Sequence, residues 1–486
     1  MTSATPFTAA LPPILSEHME LLVPLLLGLA VVALAATAVH VSAFQSSSLA
    51  RPPSVQPSPL TQCGMSTMSP GASSSNGLLL RDRDVQPMVD WCLGYGAQTA
   101  PGVQVAPGIA GKAGHSIRDN RENYGVKTAQ AIPKGGPVLF VPAQLVLSSS
   151  NIQQEFGGSL DQSENVLAQY GASDRLPLFR LMVKILAEYE KLDQSPYFPW
   201  LNALPRTFYN GVSMTDACFA CLPPYVAYLA SLERDNYGYF FQALNAGNVP
   251  LRPDTIGNDD IVRWAYNVAL TRHQVVVPAV EKTIAPLADM INHGTYPNVE
   301  ISYDGEGNCI VTAIRDIPAE SQLTISLGDA SNPTPLFATY GFLDDDCPGV
   351  FCKALDHQEE MQELSYDFTE LLFGTETGEI GTRVWNLFLY KLLKENNDPN
   401  AQALLTAVRN KDSSTTKQLN QQYFQYTHQA LLQHVDSIIA LVDELTARAS
   451  SYDVRTHPRV PVIVAHNNLV RDTFVKVQAQ LYQMVQ

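Results

Sequence analysis

The key segment of this chain reads Leu287-Ala288-Asp289-Met290-Ile291-Asn292-His293, an apolar run that ends in a polar Asn-His corner. Taken alone, it predicts a buried strand that stops in a turn, because short polar side chains bond the backbone at such ends. Two further blocks follow it: residues 322–332 read QLTISLGDASN, and residues 339–342 read TYGF.

The three blocks resemble the SET-domain methyltransferases, most closely the branch of the Rubisco large-subunit and related non-histone lysine methyltransferases. In that branch they read approximately P-x-A-D-x-I-N-H, I-x-Y-G-x-x-S-N and Y-G-F. Leu327 departs from the pattern, since the family carries a tyrosine there. The resemblance implies an α+β fold, in which a SET-domain β fold with a pseudoknot-like crossing carries a helical insert and a C-terminal all-α domain.

The resemblance also implies S-adenosyl-L-methionine as the cofactor. Asn292 and His293 would meet it through backbone and side chains, and Asp289 would buttress their loop. Arg272 would hold the cofactor's carboxylate, a task that suits the planar guanidinium fork. Without the resemblance, a single arginine at this place indicates only a surface charge.

Residues 129–141 predict a strand, a Pro-Lys-Gly turn and a second strand. The segment just before them, residues 121–126, resembles the E-x-x-G-V opening of the SET fold. Glu122, Gly125 and Val126 match that pattern, whereas Asn123 and Tyr124 stand where the family carries smaller or aliphatic residues. Glu122 and Tyr124 are therefore predicted to contact the cofactor, next to a glycine that permits close backbone approach.

Two positions carry the implied catalytic role. Tyr340 would flank the acceptor channel and the cofactor, and Leu327 stands where a tyrosine hydroxyl would lie beside the transferred methyl group. Removing one preorganised polar group typically costs ~10²–10³ in rate. A lysine acceptor, with an ordinary pKa of ~10.4, must also lose its proton before transfer.

Charge and cysteine content limit the partners. The chain of 486 residues has 47 acidic and 31 basic residues, a net charge of -16. This disfavours nucleic acid and favours a basic, lysine-bearing protein partner. Residues 1–80 contain only Arg51, Glu17 and Glu20 as charged residues, so the acidity belongs to the remainder.

The cysteines allow two interpretations. Cys218-x-x-Cys221 and Cys347-x4-Cys352 have spacings that could form zinc half-sites. Seven cysteines in a chain this long are otherwise typical of small apolar core residues. We predict packing and no metal site.

The N-terminus predicts a two-part leader. Residues 21–39 are almost wholly apolar, and Val41-Ser42-Ala43 before Phe44 is a small-residue cleavage pattern. We predict a signal peptide over residues 1–43 and a disordered, transit-peptide-like leader over residues 44–80, which is rich in Ser and Pro. Such leaders resemble those of complex plastids, so we expect the plastid stroma and no core contribution from residues 1–80. A membrane anchor, if the apolar segment is not cleaved, and secretion are the alternatives.

The remaining sequence predicts three regions. The SET domain would cover residues 85–150 and 264–350, with a helical insert over residues 151–263. A helical substrate-binding domain would cover residues 351–486, where apolar residues recur with helical spacing.

Three functions remain open. The leading one is an S-adenosylmethionine-dependent protein-lysine N-methyltransferase for a non-histone plastid protein, with the Rubisco large subunit and aldolase as substrates suggested by the family. Leu327 also permits a SET-fold binding protein with weak or no catalysis. A methyltransferase for another side chain, such as histidine, is the third.

Overall fold

The computed structural model describes residues 77–79, 81–107, 123–276, 281–328 and 331–485. Short strands and many helices alternate along them, so the predicted α+β fold is confirmed. The strands are β1 Gln98–Thr99, β2 Val103–Pro107, β3 Tyr124–Thr128, β4 Pro137–Val141, β5 Leu147–Ser148, β6 Gln274–Val276, β7 Glu281–Ile284, β8 Asn292–His293, β9 Val299–Tyr303, β10 Cys309–Ala313, β11 Ser321–Gln322, β12 Thr324–Ile325, β13 Gly349–Phe351 and β14 Leu372–Gly374.

The helices fall mainly between β5 and β6 and after β12. They are α1 Gln86–Gly94, α2 Ser149–Phe156, α3 Asp161–Gln169, α4 Leu176–Lys191, α5 Phe198–Ala203, α6 Asp216–Phe219, α7 Pro224–Ala246, α8 Pro253–Ile256, α9 Asp259–Arg272, α10 Pro333–Tyr340, α11 Gln358–Leu364, α12 Thr382–Glu395, α13 Asn400–Arg409, α14 Ser413–Gln422, α15 Phe424–Ser450 and α16 Val460–Gln483. Helices α2–α8 therefore fall in or at the edge of the predicted insert, α9 crosses its predicted end at residue 263, and the exact domain boundaries stay a prediction.

The strands form small antiparallel sheets with one parallel exception among the described residues. One sheet has the order β1-β4-β10-β9, and the others are β11-β3-β2, β5-β7-β6 and β13-β14. The exception is β8 with β12, where Asn292 pairs with Thr324 and His293 with Ile325. Because a parallel pair needs a long connection, it joins segments that are distant in sequence. This pairing fixes the Asn-His corner against the segment that carries Leu327.

The predicted helical stripes form the packing contacts of both helical regions. In α4 the side chains of Leu178, Leu181, Met182, Ile185 and Leu186 are fully buried, as their i, i+3, i+4, i+7 spacing predicts. In the C-terminal region, α15 packs along α16. Their buried residues include Leu431, Val435, Val442, Leu445, Val470, Phe474, Val477 and Leu481.

The described chain begins with a core residue. Leu78 is only 1% exposed and packs in the main hydrophobic core. The prediction that residues 1–80 contribute nothing to the core is therefore wrong at Leu78. Residues 1–76, with the predicted signal peptide and most of the second leader, lie outside the described residues. No helix in the described part of the chain is long and apolar enough to cross a membrane, and the apolar segment 21–39 lies outside that part.

A buried lysine joins α10 to the C-terminal helices. Lys353 is 6% exposed, and its Nζ donates to Thr334 Oγ1 at 3.2 Å. That hydroxyl also lies 3.3 Å from His466 Nε2. Lys353 forms no ion pair with a carboxylate of the described residues, and burial lowers its pKa to about 7. Burial, and next the charge of Lys353, lower the pKa of His466 to about 3.

This arrangement predicts a pH-dependent stability. Above about pH 7 the folded protein leaves Lys353 neutral, while the unfolded chain still binds a proton because its ordinary pKa is 10.5. The free energy of unfolding should therefore rise between about pH 7 and about pH 9. Lys353→Met should make this rise smaller, as measured by urea unfolding across that range. The exposed Lys417→Met is the matched control, and an equal pH slope in wild type and Lys353→Met would contradict the prediction.

Candidate functional site

A cavity of about 600 Å³ brings the predicted site residues together. Its walls include Tyr124, Arg272, Asp289, Asn292, His293, Leu327 and Tyr340. Its volume is in the usual range for a cofactor site. The structure therefore gathers seven of the eight residues selected from the sequence around one space. Glu122 lies outside the described residues.

One wall is organised around Asp289. Arg272, the last residue of α9, donates from Nη1 to the backbone oxygen of Asp289 at 2.9 Å and to its Oδ2 at 3.3 Å. Trp200 of α5 donates from Nε1 to the same Oδ2 at 3.0 Å. The other carboxylate oxygen, Oδ1, is buried without a hydrogen-bond partner among the described residues. Asp289 thus ties its turn to two helices, and its role beside a bound cofactor stays a prediction.

A second arginine, which the sequence pattern did not reveal, reaches the same wall. The Arg83 guanidinium lies 4.7 Å from the centre of the Tyr124 ring and donates to the backbone oxygen of Ala203. Burial, and next the charge of Arg272, lower the pKa of Arg83. The charged side chains of the described cavity lining are those of four arginines and three aspartates, Arg81, Arg83, Arg206, Arg272, Asp82, Asp289 and Asp346. This net positive charge suits an anionic group. No local motif marks Arg83, which stands between Asp82 and Asp84 in a loop-like segment.

The Asn-His corner links three distant segments. Asn292 donates from Nδ2 to the backbone oxygen of Tyr124 at 3.3 Å. The backbone N–H of Leu327 donates to His293 Nδ1 at 3.1 Å, so the proton of the neutral ring sits on Nε2. That Nε2 donates to Asp344 Oδ2 at 3.0 Å. Both ring nitrogens of His293 are therefore used within the protein, and its side chain supports the corner rather than offering a nitrogen to a ligand.

Tyr340 also lines the cavity. Its hydroxyl donates to the backbone oxygen of Leu327 at 3.3 Å. Burial, and next the charge of Glu233, raise the pKa of Tyr340 to about 12, so the phenol stays protonated. Leu327 is thus held through its N–H by His293 and through its carbonyl by Tyr340. The hydroxyl proton of Tyr340 points at this carbonyl, and its oxygen retains lone pairs for another donor.

Three consecutive aspartates, Asp344, Asp345 and Asp346, follow the Tyr-Gly-Phe block. The carboxylates of Asp344, Asp345 and Asp346 lie within 4.8 Å of one another. The buried member, Asp344, already accepts hydrogen bonds from His293 and Thr295.

All four cysteines of the two candidate zinc half-sites are buried. Cys218 and Cys221 pack in one hydrophobic cluster, which agrees with the packing interpretation.

Gly341 sets the position of Tyr340. It ends α10 in a left-handed conformation with φ of +81°. A Cβ at this residue would lie 2.4 Å from the carbonyl carbon of Tyr209 and 2.5 Å from the nitrogen of Asn210. The Asn210 side chain also donates to the backbone oxygen of Thr339 at 2.9 Å. The helical insert therefore packs directly on the backbone next to Tyr340, and only glycine fits between them.

This contact predicts that Gly341→Ala strongly lowers the free energy of unfolding. The left-handed conformation alone costs an alanine roughly 1–2 kcal/mol, and the overlap with residues 209–210 adds about 1–3 kcal/mol. Gly135→Ala is the matched control, because Gly135 has φ of +78° but a Cβ at that residue would meet nothing within 4 Å. Chemical denaturation should show the greater loss for Gly341→Ala. Equal losses would mean that the insert can move away without cost.

Comparison with known proteins identifies the part of the chain that supplies most of the described cavity lining. Residues 123–328 match the SET domain family. Actin-histidine N-methyltransferase of Gallus gallus is 24% identical over 287 residues, which cover 55% of this chain and 44% of that protein. SET domain-containing protein 4 of Artemia parthenogenetica is 24% identical over 245 residues, covering 48% and 59%. The chain thus spans about half the length of these curated relatives.

Solved structures support the fold over a longer range. The SET domain of LSMT bound to lysine and AdoHcy aligns with a TM-score of 0.54 at 12% identity, covering 85% of this chain and 92% of that one. Rubisco LSMT bound to sinefungin and monomethyllysine aligns with a TM-score of 0.51 at 12% identity, covering 85% and 92%. At this identity the likeness establishes the fold and not the substrate.

Proposed function

Since residues 123–328 form a SET domain, we propose that the protein is an S-adenosyl-L-methionine-dependent protein N-methyltransferase. The observation that carries the proposal is the cavity in which Arg272, Asn292, His293 and Tyr340 meet. The relatives named as methyltransferases support it from a separate direction.

The residues of the cavity fit the proposed cofactor. Arg83 and Arg272 form a cationic wall suited to its carboxylate, and the mutual repulsion of the two guanidinium groups would fall once an anion lies between them. The side-chain oxygen of Asn292 remains for the adenosyl part, because its Nδ2 already donates to the Tyr124 carbonyl. When bound, the cofactor supplies an electrophilic methyl group for an acceptor nitrogen.

We propose lysine as the acceptor, in a non-histone protein of the plastid stroma. Methyl transfer needs a neutral amine, and a cavity with an apolar Leu327 side chain and a protonated Tyr340 disfavours the ammonium form by desolvation. The chain's acidity favours a basic partner surface, and the two-part leader pattern supports the plastid. The Rubisco large subunit and aldolase are the first proteins to test.

Histidine is a second candidate acceptor, favoured by two observations. Leu327 cannot offer a hydroxyl to a lysine amine, and several relatives are named actin-histidine N-methyltransferase. An imidazole has an ordinary pKa of ~6.5 and is already largely neutral above that pH, so it demands less of the site. Labelled S-adenosylmethionine with paired lysine and histidine peptides, read by mass spectrometry, separates the two acceptors. Cofactor binding without transfer to either peptide class or to a plastid extract would favour a binding protein.

The two arginines should each contribute to cofactor affinity. Arg272→Ala and Arg83→Ala are expected to weaken S-adenosylmethionine binding by roughly 1.5–3 kcal/mol each, the scale of a hydrogen bond to a charged group. Isothermal titration calorimetry measures the change. The exposed Arg315→Ala is the control for loss of one positive charge and should bind like wild type. Unchanged affinity in either variant would remove that arginine from the site.

Leu327→Tyr tests the catalytic departure from the family pattern. The new hydroxyl is expected to raise the rate of methyl transfer, because it restores a polar group beside the acceptor. The larger side chain could cost ~1–3 kcal/mol of stability, so a melting curve must accompany the assay. Leu327→Phe is the matched control, with similar size and no hydroxyl. A folded Leu327→Tyr protein no faster than Leu327→Phe would show that the hydroxyl is not what the site lacks.

A further inference from the structure

A second, larger cavity lies away from the SET domain, between helices α11 to α15. It is a groove of about 1380 Å³. Its volume exceeds the usual range for a small-molecule site, about 300–1,000 Å³, and is better suited to a segment of polypeptide. Its lining shares no residue with the cavity proposed for methyl transfer.

The charged residues that line the groove are basic, whereas the net charge of the whole chain is negative. Its charged lining residues are Arg383, Arg409, Lys411 and Lys417, and no acidic residue of the described chain lines it. Arg383 pairs with the carboxylate of Glu370, and Arg409 donates to the backbone oxygen of Glu363 at 3.0 Å. Both lysines are exposed and form no ion pair in the described part of the chain. A protein with 47 acidic and 31 basic residues thus presents a basic rim here.

The floor of the groove is apolar and aromatic. The rings of Trp385 and Phe424 lie with centroids 5.7 Å apart, and Leu364 lies buried beside them. Asn420 adds one polar feature, because its Oδ1 is buried without a partner among the described residues. Its Nδ2 donates to Asn386 Oδ1 at 2.8 Å, which fixes the amide orientation. The free oxygen would accept a hydrogen bond from a donor placed in the groove.

We propose that this groove binds an acidic amphipathic segment of a partner protein. The apolar side chains of the segment would cover Trp385 and Phe424, and its carboxylates would face Lys411, Lys417 and Arg409. This combination matches the docking of an amphipathic helix in a groove, with electrostatic complementarity giving selectivity. The proposal does not depend on methyl transfer.

A synthetic helical peptide tests the proposal directly. It has about 18 residues, roughly five turns, with Leu at i, i+3, i+4 and i+7 spacing and Glu on the remaining face. Fluorescence polarisation of the labelled peptide should show saturable binding to the wild-type protein. Peptides with Gln or Lys in place of Glu should bind much more weakly. Equal binding of the Gln peptide would overturn the electrostatic part of the proposal.

Three protein variants locate the binding. Lys411→Glu with Lys417→Glu should weaken binding at least about tenfold, and Trp385→Gln should weaken it independently through the floor. Lys134→Glu with Arg315→Glu makes the same change in net charge on exposed residues outside the groove and should leave binding unchanged. An equal loss in this control, or no loss in the groove variants, would overturn the proposal. So would self-association of the wild-type chain that the groove variants abolish, because the occupant would then be a second copy.

Cofactor affinity and melting temperature of the same variants serve as folding controls. Cofactor affinity should stay at its wild-type value in all of them, since the groove residues do not line the SET-domain cavity. The melting temperature should stay unchanged in the variants of the exposed lysines, whereas Trp385→Gln should lower it, because the Trp385 ring packs against the C-terminal core. Peptide binding by a protein that fails to bind cofactor would leave this proposal standing while the proposed enzymatic function fails.

Discussion

The imidazole of His293 accepts a hydrogen bond from the backbone of Leu327 and donates one to the carboxylate of Asp344. These partners belong to the segment after β12 and to the segment after α10, which are distant from β8 in sequence. The neighbouring Asn292 adds β3 through its bond to the Tyr124 carbonyl. A buried polar network of this kind tolerates few alternatives, because each unpaired member would cost desolvation energy. The shape of the cavity therefore depends on one dipeptide.

A second constraint is electrostatic. Arg83 and Arg272 approach the cavity together, and Asp289 is the carboxylate that the structure places against Arg272. Trp200 holds Asp289 from the side of the helical insert. This arrangement leaves the wall cationic while it keeps both guanidinium groups in position. The helical insert therefore supports the site at two points. Trp200 of α5 donates to Asp289, and residues 209–210, which follow α5, pack against Gly341.

The sequence predicted the parts of the site whose signals are local. The Asn-His corner and the Tyr-Gly-Phe block can each be seen within a few residues, whereas Arg272 stands out only through the family resemblance. Arg83 and Asp344 could not be found in this way, because their roles come from partners far along the chain. Asp344 in particular reads as one of three exposed acids, yet it is buried against His293. The Ser- and Pro-rich composition of residues 44–80 predicts a disordered leader that includes Leu78. The Leu78 side chain nevertheless packs in the main core, because composition averaged over a segment does not reveal one buried residue.

At Leu327 the backbone makes the contacts that hold the segment in place, and the side chain contributes to the cavity wall. Its N–H is fixed by His293 and its carbonyl by Tyr340, so neither contact involves the side chain. These two hydrogen bonds hold the backbone of residue 327 and do not require a leucine side chain. The substitution changes the chemistry of the cavity wall while the architecture is kept.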